Sequence, residues 1–452
     1  MRKSPPINLA RRFPRFLENE LIQRVFRNSG YLFSATGLSA GLSMLQSILT
    51  ARLLGVTDFG ILGTITVFTS VVNKFASFRM SELVIKYVGE FSVSGDSRRA
   101  AAVFKTAGVT ETLTSIFAFG LIWLLAPLGA RYFAKDAGLA GWFILYGLIV
   151  LANFMSESST GLLQIFDRYR AIAIVTVGQS LLTLILVGVA YYIQGGLLEV
   201  LLAYMAGKTV GSLSLTLIAL SEAGQRWGPG WWRSPFGLLR ERLGEVGRFA
   251  VSTNISATIN LVNKDGELLW VSALSSPTGA GYYKLALSLV NLVQLPVSPL
   301  PQATYPELSR EAARRDWASL RKVLRQGSLL AFAYSLAASL GLLIFGPLII
   351  RIFYTPEFLP AYPAILLLMV GYVVAATFYW NRIALLSLGL PDYPTKVNLI
   401  AAGLKVAGIL LIVPVFGYLG SAALLSAFYL FSVSLNVRKS YAVLLERQAD
   451  LA

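Results

Sequence analysis

The chain is a succession of apolar stretches, each near the length needed to cross a lipid bilayer. A crossing helix takes about 20 mostly apolar residues. Twelve such segments follow one another, at roughly 29–50, 59–78, 105–126, 141–163, 171–193, 198–219, 248–272, 280–302, 326–347, 360–383, 397–416 and 418–437. No polar stretch between them reaches the roughly 50 residues of a small domain. The pattern predicts an all-α polytopic membrane protein and excludes a globular catalytic domain. Charged residues are 14 % of the chain, against about 25 % in soluble proteins. Residues 1–28 carry seven Lys and Arg, and no small-residue cleavage site follows the first span, so they read as a basic cytoplasmic tail leading into a retained helix.

The basic residues sort by loop. Thirty Lys and Arg fall in the tail, in 79–105, 164–170, 222–248, 304–325 and 382–396, and after residue 437; these segments all lie on one side. The opposite loops hold four: Arg52, Arg131, Lys135 and Arg351. By the positive-inside rule both termini are cytoplasmic. The formal net charge of +16 is therefore a feature of topology and of anionic lipid contact, and no nucleic acid partner is expected. A single Cys placed at position 135, in a chain with no other Cys, should be labelled from outside intact cells. Labelling only after permeabilisation would reverse the topology.

The chain also repeats itself. Ala126-Pro127-Leu128-Gly129-Ala130-Arg131-Tyr132-Phe133 returns as Gly346-Pro347-Leu348-Ile349-Ile350-Arg351-Ile352-Phe353, 220 residues later. Leu54 and Leu274, and Asp96 and Asp316, share that spacing; Arg168-Tyr169 and Asp392-Tyr393, and Gly196 and Gly420, lie near it. Six spans separate equivalent points, so the halves have the same orientation and are related about an axis along the membrane normal. The expected organisation is a tail at 1–28, a first lobe at 29–220, a cytoplasmic linker at 221–247, a second lobe at 248–437 and a tail at 438–452. Trp227, Trp231 and Trp232 of the linker suit the headgroup layer.

Five lysines fall inside spans. Lys74 and Lys284 lie near helix ends, where a long side chain snorkels. Lys208 and Lys405 are near mid-span and Lys264 lies somewhat toward the outside. Each deep Lys costs about 2.5–3.5 kcal/mol on insertion scales unless it faces protein or water. Two readings follow: a structural ion pair between helices, or a cationic, water-filled cavity. In span seven Asn260, Asn263, Lys264 and Glu267 share one helical face, with Asp265 beside them. Span eight carries Lys284, Ser288, Asn291 and Gln294 and then breaks at Pro296, Pro299 and Pro301. Span four carries Asn153, Ser156, Glu157, Thr160 and Gln164. Polar stripes with Pro and Gly breaks describe a transporter interior. The candidate substrate-binding residues are Lys264, Asp265, Asn260, Lys208, Lys405 and Asn291. Glu111 and Glu157 are candidates for ion coupling, or for pairing with a Lys. With neither His nor Cys, and no GxxxxGK[ST] loop, no cofactor, metal or built-in ATPase is expected.

Arg52-Leu53-Leu54-Gly55-Val56-Thr57-Asp58-Phe59-Gly60, Ser81-Glu82-Leu83-Val84-Ile85-Lys86-Tyr87-Val88-Gly89-Glu90 and Gly279-Ala280-Gly281-Tyr282-Tyr283-Lys284-Leu285-Ala286 resemble the polysaccharide-exporter branch of the multidrug/oligosaccharidyl-lipid/polysaccharide flippases. The resemblance runs from about residue 25 to 440. It implies a MATE-like fold of two six-helix lobes. It also implies a flippase for undecaprenyl-pyrophosphate-linked oligosaccharide in the bacterial cytoplasmic membrane, serving O-antigen, capsule or exopolysaccharide assembly. The lipid-linked oligosaccharide, membrane lipids, and a polysaccharide polymerase with its chain-length machinery are the implied partners. Drug and cation antiporters of the same fold use a first-helix acid, and residues 29–50 contain no Asp or Glu. The lipid II flippase branch places basic residues at its first helix, and this helix has none before Arg52. A polymerase or ligase of the same pathway needs a long outer loop that this chain lacks.

Overall fold

The computed structural model describes residues 20–242, 244, 245, 247, 248 and 266–449, and they are overwhelmingly helical. Helix α1 (Glu20–Ala76) has 57 residues. At 1.5 Å per residue it would be about 85 Å long, far beyond a hydrocarbon core of about 30 Å. It turns back at Gly55, whose φ of 69° and ψ of −176° suit a residue without a Cβ. After it come α2 (Met80–Val93), α3 (Ser97–Gly129), α4 (Ala140–Ala152), α5 (Ser156–Ile165), α6 (Tyr169–Tyr192) and α7 (Leu197–Trp227). The second half supplies α8 (Glu267–Leu274), α9 (Pro277–Gln294), α10 (Leu300–Ala313), α11 (Trp317–Phe353), α12 (Ala361–Thr377), α13 (Asn381–Ser387) and α14 (Asp392–Ala449). Helix α14 turns at Gly417, at the place in the second half that the α6–α7 connection near Gly196 holds in the first. Among the described residues eight helical segments are long and apolar enough to cross a membrane, and those at Gly30–Ala76 and Asp392–Ala449 are each long enough to cross twice.

The repeat is visible in backbone detail. α2 and α10 are both 14 residues long and start 220 residues apart. Each is followed by a positive-φ residue, Gly95 or Arg315. An Asp then caps the next long helix. Asp96 accepts from Arg99 N and Asp316 from Ser319 N, both at 2.9 Å. Pro127 and Pro347 lie inside α3 and α11 at equivalent places.

Three expected spans are differently built. Residues 141–163 form two helices, α4 and α5, and residues 360–383 likewise form α12 and α13. Residues 280–302 do not make one span. α9 ends at Gln294, and Pro299 and Pro301, which lack a backbone donor, open α10 instead. Of the expected span at 248–272, residues 249–265 lie outside the described residues.

The halves meet at one end only among the described residues. The end bearing the turns near Gly55, Lys135, Ser275 and Thr355 is poor in charge, and there one apolar core joins Ile48, Ala51 and Phe59 to Tyr283, Leu289, Ile365 and Leu368. At the opposite, basic end each half keeps its own core. One gathers Tyr87, Phe104, Leu163 and Leu239, the other Trp317, Leu324, Trp380 and Leu444. The segment after α7 lies on the first half's basic end. Trp227 and Trp231 sit half-buried on Phe104, ring centroids 5.9 and 5.4 Å away, packed against that core; Trp232 stays exposed. Elsewhere exposed Leu, Ile and Phe side chains, such as Leu113, Ile116, Phe117 and Leu411, face outward as a lipid-contacting surface requires.

Candidate functional site

The break in span four builds the first cavity. Three residues, Asn153 to Met155, separate α4 from α5. A break at membrane depth leaves backbone groups that lipid cannot satisfy. Neighbouring helices supply the partners. Buried Glu111 of α3 accepts from Glu157 N at 2.8 Å, Ser158 N at 2.9 Å and Ser158 Oγ at 2.6 Å. It thereby caps the start of α5 with negative charge. Ser212 of α7 donates to the Ala152 carbonyl at 3.1 Å. Beside this joint lies a cavity of about 300 Å³, lined by Asn73, Glu111, Asn153, Glu157, Gln179 and Lys208 among others. Lys208 is exposed and has no carboxylate partner within 4 Å among the described residues.

The second half carries a cavity of about 420 Å³ between α8, α9, α12 and α14. Asn291, Gln294, Tyr372, Tyr379 and Tyr429 line it, with Glu267 at its base. Glu267 is 2 % exposed. It accepts from the Tyr283 hydroxyl and is ion-paired with the ammonium of Lys405, itself 3 % exposed. The Tyr372 and Tyr429 rings meet edge to face at 5.1 Å, and Gln294 Nε2 holds the Tyr372 carbonyl at 3.1 Å. The wall is therefore aromatic, with amide and phenol groups at fixed positions.

A third set of contacts seals the charge-poor end. Arg52 Nε donates to the carbonyls of Phe353 at 2.8 Å and Tyr354 at 3.1 Å, and its Nη2 to that of Ile352. A cation here meets the negative end of the α11 dipole. Thr57 and Thr278 share a hydrogen bond of 2.9 Å, Thr64 and Ser272 one of 2.7 Å, and Lys135 Nζ donates to the Ala273 carbonyl at 2.7 Å. Lys284 does not snorkel, as its place near a helix end suggested. It donates to the Phe59 carbonyl at 3.0 Å and lies 3.8 Å from the centre of the Phe59 ring, because the other half of the molecule comes within reach first.

Of the residues singled out from sequence, Lys208, Glu111 and Glu157 share the first cavity, Asn291 lines the second, and Lys405 sits behind it in the pair with Glu267. Asn260, Lys264 and Asp265 lie outside the described residues. Arg52 was missed as a sealing residue. Its one sequence signal is its place three residues before the Gly55 turn. Among the described residues no cluster of three or more His, Cys, Asp or Glu is arranged to hold a metal ion.

The sequence profile of the polysaccharide biosynthesis protein family matches residues 25–311. The chain belongs to that family. Its membership agrees with two relatives at low identity. Inner membrane protein YghQ of Escherichia coli (strain K12) is 23 % identical over 349 residues, covering 75 % of this chain and 95 % of that protein. An uncharacterized membrane protein of Methanocaldococcus jannaschii is 22 % identical over 420 residues, covering 85 % and 78 %. Among solved structures, the lipid II flippase MurJ in an inward closed conformation superposes with a TM-score of 0.72 at 14 % identity, covering 90 % of this chain and 87 % of that one. An inward-facing multidrug resistance MATE family transporter gives 0.67 at 12 % identity, covering 92 % and 96 %. At such identities the likeness is one of fold. This polysaccharide biosynthesis family member is a multi-pass membrane protein with the MATE-like fold.

Proposed function

We propose that the protein is a non-enzymatic flippase that carries undecaprenyl-pyrophosphate-linked oligosaccharide across the bacterial cytoplasmic membrane, delivering it to the polymerase and chain-length machinery of O-antigen or exopolysaccharide assembly. The observation that carries this reading is the pairing of a sealed charge-poor end with polar cavities in both halves, in a chain of the polysaccharide biosynthesis family. If the basic end is cytoplasmic, as the charge distribution indicates, this is a cytoplasm-facing state. The lobes at 29–220 and 248–437 rock about the linker at 221–247 to open the other side. A pyrophosphate leaving water needs fixed positive charge. Lys208 supplies it from the first cavity, with Lys264, Asp265 and Asn260 of span seven completing the site. A Lys is a point charge without rigid two-pronged geometry, which suits a passing ligand. Asn291 and the tyrosines of the second cavity offer sugars an aromatic wall with amide and hydroxyl partners.

Removing the protein should cause the lipid-linked sugar to accumulate on the cytoplasmic leaflet. In that strain Lys208→Glu, at an abundance matched by blot, should restore export at least about tenfold less well than wild type, because like charges facing one another cost several kcal/mol. Lys264→Glu should behave in the same way, and Lys264→Arg should be milder. Normal export from both Glu variants would reject the cationic site. Uptake of a labelled cationic drug by vesicles, with no lipid-linked sugar accumulating, would instead identify an antiporter.

A further inference from the structure

The two halves differ at one equivalent place on the basic end. In the first half, the face of α3 that starts one turn after Asp96 is covered by protein. Ala101 and Ala102 are fully buried, Lys105 donates to the Ser234 carbonyl at 3.0 Å, and its ammonium lies 4.0 Å from the centre of the Phe236 ring. In the second half the same positions of α11 are Arg321, Lys322 and Arg325, and no described residue covers them. Between α11 and the end of α14 they line a groove of about 850 Å³ with Gln326, Leu329, Tyr441 and Gln448. No carboxylate is among its lining residues, and none of the three cations has an ion-pair partner among the described residues. The Tyr441 ring is set edge-on against Trp380 at 5.8 Å, so the groove has a fixed wall.

We propose that this groove is a binding site for the headgroup of an anionic diacyl phospholipid. Arg321 and Arg325 are four residues apart and so share one helical face. Two guanidinium groups there present forked donors to a phosphodiester. Leu329 lies on the same face, about 6 Å along the helix from Arg325 and about 12 Å from Arg321, where acyl chains below a bound headgroup would begin. Leu330 and Phe332 beyond it are exposed and continue the apolar surface. A free phosphate ion would leave most of a groove of about 850 Å³ unfilled. The groove shares no lining residue with either polar cavity, so this site is independent of what the protein transports.

Native mass spectrometry of the purified full-length chain tests the site with four probes: phosphatidylglycerol, phosphatidylcholine, inorganic phosphate and a polyprenyl pyrophosphate. Phosphatidylglycerol should be retained in preference to phosphatidylcholine and inorganic phosphate, and the polyprenyl pyrophosphate, a ligand of the transport cavities, should be retained equally by wild type and groove variants. Arg321→Ala/Arg325→Ala should weaken its binding about tenfold or more, since each cation near a lipid surface contributes about 1 kcal/mol. The pair Arg98→Ala/Arg233→Ala, two exposed cations on the basic end of the first half, should leave phosphatidylglycerol binding within about twofold, as contacts outside the groove would. If the double variant is not recovered folded, Lys322→Gln and Arg325→Gln replace it, each expected to weaken binding several-fold. Unchanged phosphatidylglycerol binding in these variants would overturn the proposal. So would tighter retention of phosphate, or loss of the polyprenyl pyrophosphate from the groove variants.

Discussion

Lys405→Ala is expected to lower stability by about 3–5 kcal/mol, the cost of removing one partner from a buried ion pair. Glu267 and Lys405 come from helices 138 residues apart in sequence, and each is almost wholly enclosed. A Lys at mid-membrane is itself unfavourable by about 2.5–3.5 kcal/mol on insertion scales, so its presence is explained by the carboxylate it meets. Without the ammonium, Glu267 keeps its hydrogen bond from Tyr283 but loses the charge that compensates its own. The double variant Glu267→Gln/Lys405→Met removes both charges at similar volume and should recover most of the loss, because well-packed neutral residues replace buried ion pairs with little penalty. Thermal unfolding midpoints of the detergent-solubilised proteins, followed with protein abundance in membranes, give the measurement. A Lys405→Ala protein as stable as wild type would sink the assignment, as would a double variant no better than the single one. The second outcome would assign the loss to packing against Phe428, whose ring centre lies 5.5 Å from the ammonium.

This pair marks the boundary of what local sequence reveals. The depth of Lys208 and Lys405 is legible, because hydropathy is a property of neighbouring residues and a charge stands out against it. What each lysine meets is not, because partners come from helices that only the fold brings together. Lys208 opens onto a cavity, Lys405 onto Glu267, and the two are alike in sequence setting. The spans themselves were readable for the same local reason, and so was the repeat. Their breaks were readable only where the chain carries its own signal. Pro299 and Pro301 announce the start of α10. The break at Asn153 carries no such mark. Residues 141–163 read as one apolar run, and the groups that sustain the interruption, Glu111 and Ser212, sit on other helices. Glu111 was legible as a rare intramembrane acid, but its work as a cap for α5 required the fold. Lys284 shows the opposite error. Position near a helix end argues for reaching outward, yet its ammonium donates to the Phe59 carbonyl of the other half.

Gly60→Val should unseat the charge-poor end. Where α1 crosses α9, a Cβ on Gly60 would run into the Pro277 carbonyl and stand 2.7 Å from Gly281 N, and a Cβ on Gly281 would run into the Val56 carbonyl. These are backbone atoms in both directions, so no side chain can swing aside to make room. Small residues let helix backbones approach in lipid, where packing and hydrogen bonds replace the hydrophobic effect as the source of association. Pushing the backbones apart also lengthens the hydrogen bond between Thr57 and Thr278, and it removes the Phe59 carbonyl from Lys284. The Cys-free chain allows a direct reading. Thr57→Cys/Thr278→Cys should crosslink readily under oxidant, because the native hydroxyls are 2.9 Å apart, and a complete crosslink should stop export if the halves must part there. Adding Gly60→Val should lower the ratio of sealed to open molecules about tenfold, the response to a shift of about 1.4 kcal/mol, and so slow the crosslink and leave it incomplete. Full export through a complete crosslink would exclude opening at this end. An undiminished crosslink in the Gly60→Val background would show that the glycine contact does not set the seal. The expected pair of results would make the close approach of Gly60 and Gly281 the element on which the sealed state depends, with Arg52 holding the end of α11 beside it.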